Sequence, residues 1–356
     1  MKHLIRVVCL FLLLVGAFSP IAGDQNAAAK PFLLDENEDA ANAKMREAIR
    51  LYNKGKFDEA VAKATEALAL DDRNGAAMDV RAASYLALEE YELAIKDYNQ
   101  VIKLAPREPK AWNNRAYTRL TIGMVKGALE DYERAVALKA DYAWAISGRA
   151  NCKSMLGDKK GALADCDRVL ELEPDFAGIH ASRADIYRSM GDYKSAQVEA
   201  ELELKADPKN LNALWVRGEC YRYAKDWAKA RADFEAVQTG NPAWVPSYVS
   251  LAAVFIGLGE KAKAVEYLAS ALDLALKDNQ LTPNHPTAAY EVACIYCQRS
   301  LMRETPELAA KDIDLAVRNL NRAVKLGFID WSLLKMDPDL VKARDDERIK
   351  KILAGK

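Results

Sequence analysis

Residues 75–108 read GAAMDVRAASYLALEEYELAIKDYNQVIKLAPRE, and residues 109–142 read PKAWNNRAYTRLTIGMVKGALEDYERAVALKADY. Aligned without a gap, these two 34-residue segments share Arg at position 7, Ala at positions 8 and 20, and Asp at position 23. The same period continues in both directions and divides residues 41–278 into seven consecutive units. A fixed period of this length is the sequence signature of a repeat protein, in which similar supersecondary units stack along the chain.

Small residues occupy two positions in every unit of this array. Position 8 holds Ala48, Ala82, Ala116, Ala150, Ala184, Gly218 and Ala252, and position 20 holds Ala60, Ala94, Ala128, Ala162, Ala196, Ala230 and Ala264. Where two helices lie very close together, only a methyl group or a hydrogen fits between them. The pattern therefore predicts two antiparallel helices per unit and an all-α fold.

Residues that end helices recur at two further positions. Position 15 holds Gly55, Gly123, Gly157, Gly191 and Gly259, and position 32 holds Pro106, Pro174, Pro208 and Pro242. Gly adopts the left-handed backbone of a helix C-cap at little cost, and Pro cannot continue a helix. We therefore expect the first helix of each unit to turn at position 15 and the second to end before the next unit begins.

The 34-residue pattern resembles the tetratricopeptide repeat family over about two thirds of the chain. The resemblance implies a right-handed α-solenoid of antiparallel helix pairs that binds a protein or peptide in a concave groove lined by the first helices. In the family, positions 2, 5, 9, 12 and 13 of a repeat point into that groove. In units three to six, these positions supply Lys110, Asn113, Tyr117, Trp144, Asn151, Asp185, Arg188, Trp215, Glu219, Arg222 and Tyr223.

Two readings of these groove positions stay open. Trp, Tyr and Arg are frequent anchors of protein interfaces, and Asn can bond an extended backbone, so the groove is a candidate partner site. The alternative is a solvated face with Trp side chains partly buried where units meet. The family's clamp for a C-terminal carboxylate is not predicted, because Met45 and Ile49 stand where the clamp needs Lys and Asn.

Two positions carry opposite charges that change together. Position 7 holds Arg81, Arg115, Arg149, Arg183 and Arg217, and position 23 holds Asp97, Asp131, Asp165, Glu199 and Asp233. In the first unit both signs reverse, to Glu47 and Lys63, and in the seventh both charges disappear, giving Leu251 and Tyr267. Since the two positions vary as a pair, we expect them to contact each other across the helices of one unit. The alternative is that the row of Arg residues binds a ligand.

The chain begins with the pattern of a secretory signal peptide, residues 1–23. Lys2 and Arg6 precede a 12-residue apolar run over residues 7–18, shorter than the about 20 residues that cross a bilayer. Cleavage near Ala22 or Gly23 would export the protein to the periplasm or the exterior, without membrane insertion. The alternative is a membrane anchor formed by an uncleaved N-terminus. Residues 24–40 are predicted to be an acidic linker.

After the array, residues 279–328 are predicted to form a modified eighth repeat, and residues 329–356 are predicted to form capping helices. In that repeat we expect a long loop between the two helices, and uncharged Val292 and Asn319 at the charge-pair positions. The last exposed apolar face of the array would be covered by Trp331, Leu333, Leu334, Leu340, Ile349 and Leu353 of the cap. This end resembles an element that follows the repeats of some bacterial tetratricopeptide repeat proteins, on Tyr290, Ala293, Cys294, Tyr296, Leu320, Ala323, Val324, Gly327, Phe328, Asp337, Pro338, Asp339, Leu340, Arg344, Asp346 and Arg348.

Composition argues against several kinds of function. The 51 basic and 52 acidic residues nearly cancel, so net charge gives no reason to expect a nucleic-acid partner. Cys294 and Cys297 have the spacing of a redox pair, but they lie inside a predicted helix with no strand before it, and no second cysteine pair completes a zinc site. We predict no catalytic residues, metal site or cofactor.

The sequence therefore favours an exported, non-catalytic scaffold or adaptor that binds a protein or peptide partner in its concave groove. One alternative is a structural factor that assembles a cell-envelope complex through the convex face or the end of the array. A second alternative is a redox or enzyme accessory that uses Cys294 and Cys297.

Overall fold

A computed structural model describes residues 36–281, 286–327, 337–340 and 346–354. Within these ranges the protein is all-α, with 17 α-helices, one short 3-10 helix and no β-strand, which confirms the predicted fold class. The first eight helices are α1 (Glu36–Asn53), α2 (Phe57–Leu70), α3 (Gly75–Ala87), α4 (Tyr91–Leu104), α5 (Pro109–Thr121), α6 (Val125–Leu138), α7 (Ala143–Met155) and α8 (Lys159–Leu172). They are followed by α9 (Ile179–Ser189), α10 (Tyr193–Ala206), α11 (Leu211–Tyr223), α12 (Trp227–Gly240), α13 (Val245–Gly257), α14 (Lys261–Leu281), α15 (Pro286–Ser300), α16 (Pro306–Lys325), the 3-10 helix (Pro338–Leu340) and α17 (Glu347–Ala354).

The described chain divides into two compact parts, residues 36–152 and residues 153–354. We call these two parts the first and second units, and we call the 34-residue segments repeats. Helices pack as consecutive pairs, α1 with α2, α3 with α4 and α5 with α6 in the first unit, and α9 with α10 through α15 with α16 in the second. First helices of neighbouring pairs also contact each other, for example α1 with α3, α9 with α11 and α13 with α15. We call the surface formed by the first helices of a unit its inner face, and the surface formed by the second helices its outer face.

The small residues at positions 8 and 20 lie where paired helices approach most closely. All 13 Ala residues at these positions have no exposed surface, and Gly218 is buried as well. A Cβ atom built on Gly218 would lie 2.6 Å from Cε1 of the fully buried Phe234 ring. A side chain at this position would therefore overlap the aromatic ring of the second helix.

The turn between the two helices of a repeat needs a left-handed residue at position 15. The five glycines at this position all have positive φ, between 73° and 90°. Glu89 and Lys225 occupy the same position in the second and sixth repeats, and they adopt φ of 62° and 61° without being Gly. The geometry of the turn is thus kept in all seven repeats, and two of them hold a side chain in a conformation that L-residues disfavour.

The first helix starts earlier than the sequence predicted. α1 begins at Glu36, so the last five residues of the segment predicted to be a linker, residues 36–40, are helical. The predicted signal peptide, residues 1–23, lies outside the described ranges. Among the helices that the structure describes, none combines the length and the apolar character needed to cross a membrane.

The long loop predicted in the eighth repeat is wrong. Residues 301–305 join α15 to α16, which is only two residues more than the three that join α3 to α4. Most of the additional length lies in α16, which has 20 residues where α4 has 14. Thr305 caps the start of α16 by accepting a hydrogen bond from the backbone of Leu308, so helix begins directly after it.

The C-terminal residues that the structure describes pack against the last helix pair. Leu340 and Ile349 have no exposed surface and lie in one apolar cluster with residues of α15 and α16, such as Tyr290, Cys297 and Leu320. Two of the apolar residues expected to cover the end of the array are thus buried there. Trp331, Leu333 and Leu334 were also expected in this role and lie outside the described ranges.

Candidate functional site

Polar side chains form a chain across the inner face of the first unit. Lys110 Nζ and Asn114 Nδ2 on α5 donate to Asp79 on α3 at 3.2 Å and 3.3 Å, and Asn113 Nδ2 donates to Asn114 Oδ1 at 3.2 Å. Asn113 is 2% exposed, whereas Lys110 keeps 27% of its side chain in solvent. The predicted groove residue Asn113 is therefore buried beneath this surface and holds the Asn114 side chain by a hydrogen bond. Lys110 and Asp79 form the accessible part of the chain of polar side chains.

The other predicted groove residues of the first unit lie deeper than an exposed contact surface. Tyr117 on α5 is 7% exposed, and burial raises its pKa to about 12. Asn151 on α7 is buried, and Trp144 on the same helix is half-buried. Tyr117 and Asn151 are therefore largely inaccessible to a partner, and Trp144 keeps part of its side chain in solvent.

The inner face of the second unit carries a connected set of charged and aromatic side chains. Arg188 on α9 donates to Asp185 at 2.7 Å, and its guanidinium lies 4.6 Å from the centre of the Trp215 ring on α11. Trp215 Nε1 donates to Ser250 Oγ at 3.3 Å, and the Ser250 hydroxyl donates to Glu219 at 2.8 Å. Four of the predicted residues are thus linked through first helices α9, α11 and α13.

Arg222 extends this set to a segment that the sequence analysis did not place here. It donates through Nε to Glu219 at 3.1 Å and through Nη1 to Asp339 at 3.3 Å. Gln298 Nε2 on α15 donates to the same Asp339 oxygen at 2.6 Å, and the Tyr290 hydroxyl donates to Asp337. Residues 337–340, which we call the C-terminal turn, therefore lie on the inner face.

Burial of the C-terminal turn brings three carboxylates close together. Burial raises the pKa of Asp339 to about 7, with Arg222 acting to lower it and Asp337 and Glu219 acting to raise it. Burial by itself would lower the pKa of Arg222, but the carboxylates of Glu219 and Asp339 outweigh it and raise that pKa. The site thus holds the guanidinium groups of Arg222 and Arg188 among several acidic groups in a largely dry environment, and Glu219 and Asp337 help to raise the pKa of both.

One predicted groove residue remains widely accessible. Tyr223 at the end of α11 is 68% exposed and stacks on Tyr193 with a centroid separation of 4.0 Å. Tyr193 is half-buried, so its ring supports that of Tyr223, and the exposed Tyr223 ring offers a flat apolar surface at little entropic cost, as interface anchors do.

The structure brings most of the charge-pair positions together. The distance from a guanidinium nitrogen to a carboxylate oxygen is 2.7 Å for Arg81 and Asp97, 2.6 Å for Arg115 and Asp131, 3.3 Å for Arg183 and Glu199, and 2.7 Å for Arg217 and Asp233. Glu47 and Lys63 are 4.0 Å apart, and Lys63 lies closer to Glu66, at 3.0 Å. Asp165 is buried and accepts from Lys153 at 2.8 Å, and Arg149 is half-buried on α7.

The eighth repeat has a charge cluster of its own that the sequence analysis missed. Asp312 on α16 is 2% exposed and lies 2.5 Å from Arg299 and 2.6 Å from Arg303. Val292 and Asn319 were predicted at the charge-pair positions of this repeat, and the small residues Ala293 and Ala316 that set this alignment are both fully buried. The contacts of Asp312 use other positions, which a comparison of the repeats could not reveal.

The cysteines offer little support for redox chemistry. The five cysteines within the described ranges are all free and buried. Burial raises the pKa of Cys294 and Cys297, and the carboxylate of Asp337 raises both further. A reactive thiol needs a lowered pKa and access to solvent, so both observations argue against a redox pair. Among the residues whose placement is described, no group of His, Cys, Asp and Glu could hold a metal ion.

Comparison with known families identifies the repeat. Models of the tetratricopeptide repeat match residues 80–143, 181–243 and 245–278. They do not extend to the C-terminal element, which therefore stays a resemblance. No curated protein matches the sequence.

Solved structures share the fold at low sequence identity. A tetratricopeptide repeat protein from Parabacteroides merdae ATCC 43184 is 16% identical with a TM-score of 0.55, over 78% of this chain and 99% of that one. PilF of Pseudomonas aeruginosa is 15% identical with a TM-score of 0.50, over 58% and 95%. The Cut9–Hcn1 hetero-tetramer of the APC/C contains a chain that is 15% identical with a TM-score of 0.57, over 84% and 57%. These similarities concern the fold alone.

Proposed function

Because the chain is a tetratricopeptide repeat protein, we propose that it is an exported, non-catalytic scaffold that binds a protein or peptide partner on its inner face. One observation carries the proposal. The inner face of the second unit already holds a turn of polypeptide, with Asp339 bound by Arg222 from α11 and by Gln298 from α15. Side chains that bind a segment of the same chain can also bind a segment of another protein.

The first unit supports the proposal with a different set of groups. Lys110 and Asp79 keep 27% and 16% of their side chains in solvent while they bond to each other across α3 and α5. A partner backbone that approaches this face meets a donor and an acceptor held in fixed positions. Groups fixed in advance lose little conformational entropy on binding, which favours association.

Export is a separate part of the proposal and rests on residues 1–23. The charged start, the short apolar run and the small residues near Ala22 and Gly23 are typical of a cleaved signal. The mature N-terminus, determined by mass spectrometry on the protein recovered from producing cells, tests it directly. A first residue close to Asp24 agrees with export, and an N-terminus that retains residues 1–23 contradicts cleavage.

Partner capture with matched variants tests the binding function. The mature protein is used as affinity bait in an envelope fraction, with Lys110→Ala and Tyr223→Ala as inner-face variants. Lys126→Ala on α6 and Val198→Ala on α10 are the controls, because both residues are exposed on second helices. A partner recovered at least tenfold less by an inner-face variant than by its control, which corresponds to about 1.4 kcal/mol of binding free energy, supports the proposal.

The opposite result identifies the structural alternative. Loss of the partner with Lys126→Ala or Val198→Ala, while both inner-face variants retain it, would place binding on the outer face. The protein would then act as a structural factor that assembles a complex through its second helices, and the proposal for the inner face would be wrong.

A further inference from the structure

The C-terminal turn is bound by the inner face as a short linear motif. Its sequence, residues 337–340, reads Asp-Pro-Asp-Leu. The turn is closed on itself, because the backbone N–H of Asp339 donates to the Asp337 side chain at 2.8 Å and that of Leu340 donates to the Asp337 carbonyl at 3.2 Å. The segment thus presents its side chains from a fixed conformation, as peptide motifs do when they bind in grooves.

Three of the four side chains have a separate binding place. Asp337 accepts hydrogen bonds from Tyr290 and Cys294 on α15. Asp339 accepts from Arg222 and Gln298. Leu340 is fully buried in one apolar cluster with residues of α15 and α16, which include Ala289, Ala293, Cys297, Val317 and Leu320. The inner face therefore binds two acidic groups, those of Asp337 and Asp339, and one aliphatic side chain, that of Leu340, at a fixed spacing.

The hydrogen-bond donors that bind the C-terminal turn need another acceptor when the turn leaves the inner face. Arg222 has 13% of its side chain exposed, and its two acceptors of known geometry are Glu219 and Asp339. Gln298 is 3% exposed, and its Nε2 donates to Asp339. Removing Asp339 takes an acceptor from both residues, and a buried donor without an acceptor is costly. A carboxylate or carboxyl group from elsewhere would restore these bonds.

We propose that this part of the inner face is a recognition site for an acidic turn followed by an aliphatic residue. The C-terminal turn occupies the site as an internal ligand, and a partner segment of the same chemistry replaces it. The inference rests on the proposed function, because it states which kind of segment the inner face of the second unit binds.

The internal ligand is held in a way that permits exchange. Asp339 lies near two other carboxylates, Asp337 and Glu219, which add to burial in raising its pKa, whereas Arg222 and the hydrogen bond from Gln298 lower it. Placing a third carboxylate in this buried site is unfavourable, so part of the binding free energy from Leu340 is lost. A partner segment with one acidic group in place of two would avoid some of this repulsion and compete effectively.

A binding experiment with the full chain tests the inference. The probe is a fluorescent peptide with the sequence of residues 336–341, Met-Asp-Pro-Asp-Leu-Val, and the control peptide has Ala in place of both Asp residues. The protein carries Asp339→Lys, which repels Arg222 and opens the site. Fluorescence anisotropy should show that this variant binds the acidic peptide at least tenfold tighter than the control peptide. The wild-type protein should bind the acidic peptide at least tenfold more weakly than the variant, because its own turn competes.

Two further variants keep the test decisive. If Asp339→Lys does not fold, as judged by circular dichroism, Leu340→Ala opens the site by removing the apolar anchor instead. Adding Arg222→Gln to the open variant should reduce the preference for the acidic peptide at least tenfold, because Gln cannot replace the guanidinium charge. Equal binding of the acidic and control peptides by a folded open variant overturns the inference.

The result is separable from that of the proposed function. A partner whose capture depends on the inner face, but whose bound segment has no acidic residue, overturns this inference and leaves the proposed function standing. Failure of the proposed function appears instead in the capture experiment, as a partner that no inner-face variant affects.

Discussion

The guanidinium of Arg222 on α11 lies 3.3 Å from the carboxylate of Asp339, which is 117 residues further along the chain. This contact joins a residue of the sixth repeat to the C-terminal turn. It places polypeptide on the surface where the tetratricopeptide pattern predicts a partner. Whether a partner segment binds there thus depends on how firmly the C-terminal turn is held.

Docking of the C-terminal turn should depend on pH through Asp339. Its pKa is about 7 when docked, compared with about 3.9 for an exposed Asp, so docking takes up a proton between these values. Docking should therefore weaken as pH rises from about 4 to about 7, by up to about tenfold per pH unit, and be constant above pH 7. Alkylation of Cys294, whose sulfur lies 3.8 Å from Asp337, reports the opening of the turn.

The measurement needs a correction and a matched variant. Dividing the alkylation rate by that of the denatured protein at the same pH removes the intrinsic reactivity of the thiol. The resulting protection of Cys294 should fall between pH 5 and 7 in the wild type and stay flat in Asp339→Asn, which cannot titrate. Protection that increases over this range would mean that Asp339 is held as a stable ion, contrary to our account.

Removing one partner of the Arg217–Asp233 pair should lower the free energy of unfolding more than replacing both partners. Asp233 is buried and bonded to Arg217 by two hydrogen bonds of 2.7 Å and 2.9 Å. Asp233→Ala leaves the guanidinium half-buried without its acceptor, at a cost of about 3 kcal/mol. The double change Arg217→Leu and Asp233→Tyr copies the seventh repeat and should cost less. Thermal unfolding of both proteins decides, and a double variant that melts below Asp233→Ala refutes the prediction.

The close approach of the helices should make Gly218 irreplaceable. Because an added Cβ would lie 2.6 Å from the buried Phe234 ring, Gly218→Ala should lower the free energy of unfolding by about 1–3 kcal/mol. Gly75→Ala is the matched control, since nothing lies within 4 Å of its added Cβ and its φ is ordinary. That change should be neutral or stabilising by about 0.5 kcal/mol. Equal denaturant midpoints for the two variants would show that the helices can move apart.

Two repeats should gain stability from Gly at position 15. Glu89 and Lys225 have φ of 62° and 61°, which costs an L-residue about 1–2 kcal/mol. Gly would remove this cost, but its greater conformational freedom in the unfolded chain offsets part of the benefit. Glu89→Gly should therefore raise the free energy of unfolding by about 0.5–1 kcal/mol. Gly123→Ala, at the same position of the next repeat, should destabilise by a similar amount. Denaturant unfolding of each variant measures both, and a loss of stability in Glu89→Gly would contradict the assignment of strain.

The structure of the regular repeats could be predicted because the residues that contact each other lie within the same repeat. The spacing of Ala82 and Ala94 fixes where α3 and α4 touch, and both residues have no exposed surface. The contact of Arg81 with Asp97 was visible as joint variation, because the two residues lie in one repeat and seven copies can be compared. Local information of this kind needs no knowledge of the rest of the chain.

Contacts that occur once could not be found in this way. Nothing in the sequence around Asp339 repeats, and Gln298 and Arg222 lie 41 and 117 residues away. The one available signal was the resemblance of the C-terminal end to a known element, which includes Tyr290, Cys294, Asp337 and Asp339. The groove prediction treated Glu219 as available to a partner, whereas Ser250 and Arg222 already bond to it.

Photo-crosslinking from matched positions of the second unit tests the central claim most directly. A crosslinking amino acid is placed at Tyr223 on α11 of the inner face or at Val198 on α10 of the outer face, which are 68% and 57% exposed. The full-length protein is then irradiated in producing cells. Our account predicts that a partner is crosslinked from position 223 and not from position 198. A partner crosslinked from position 198 alone would contradict it.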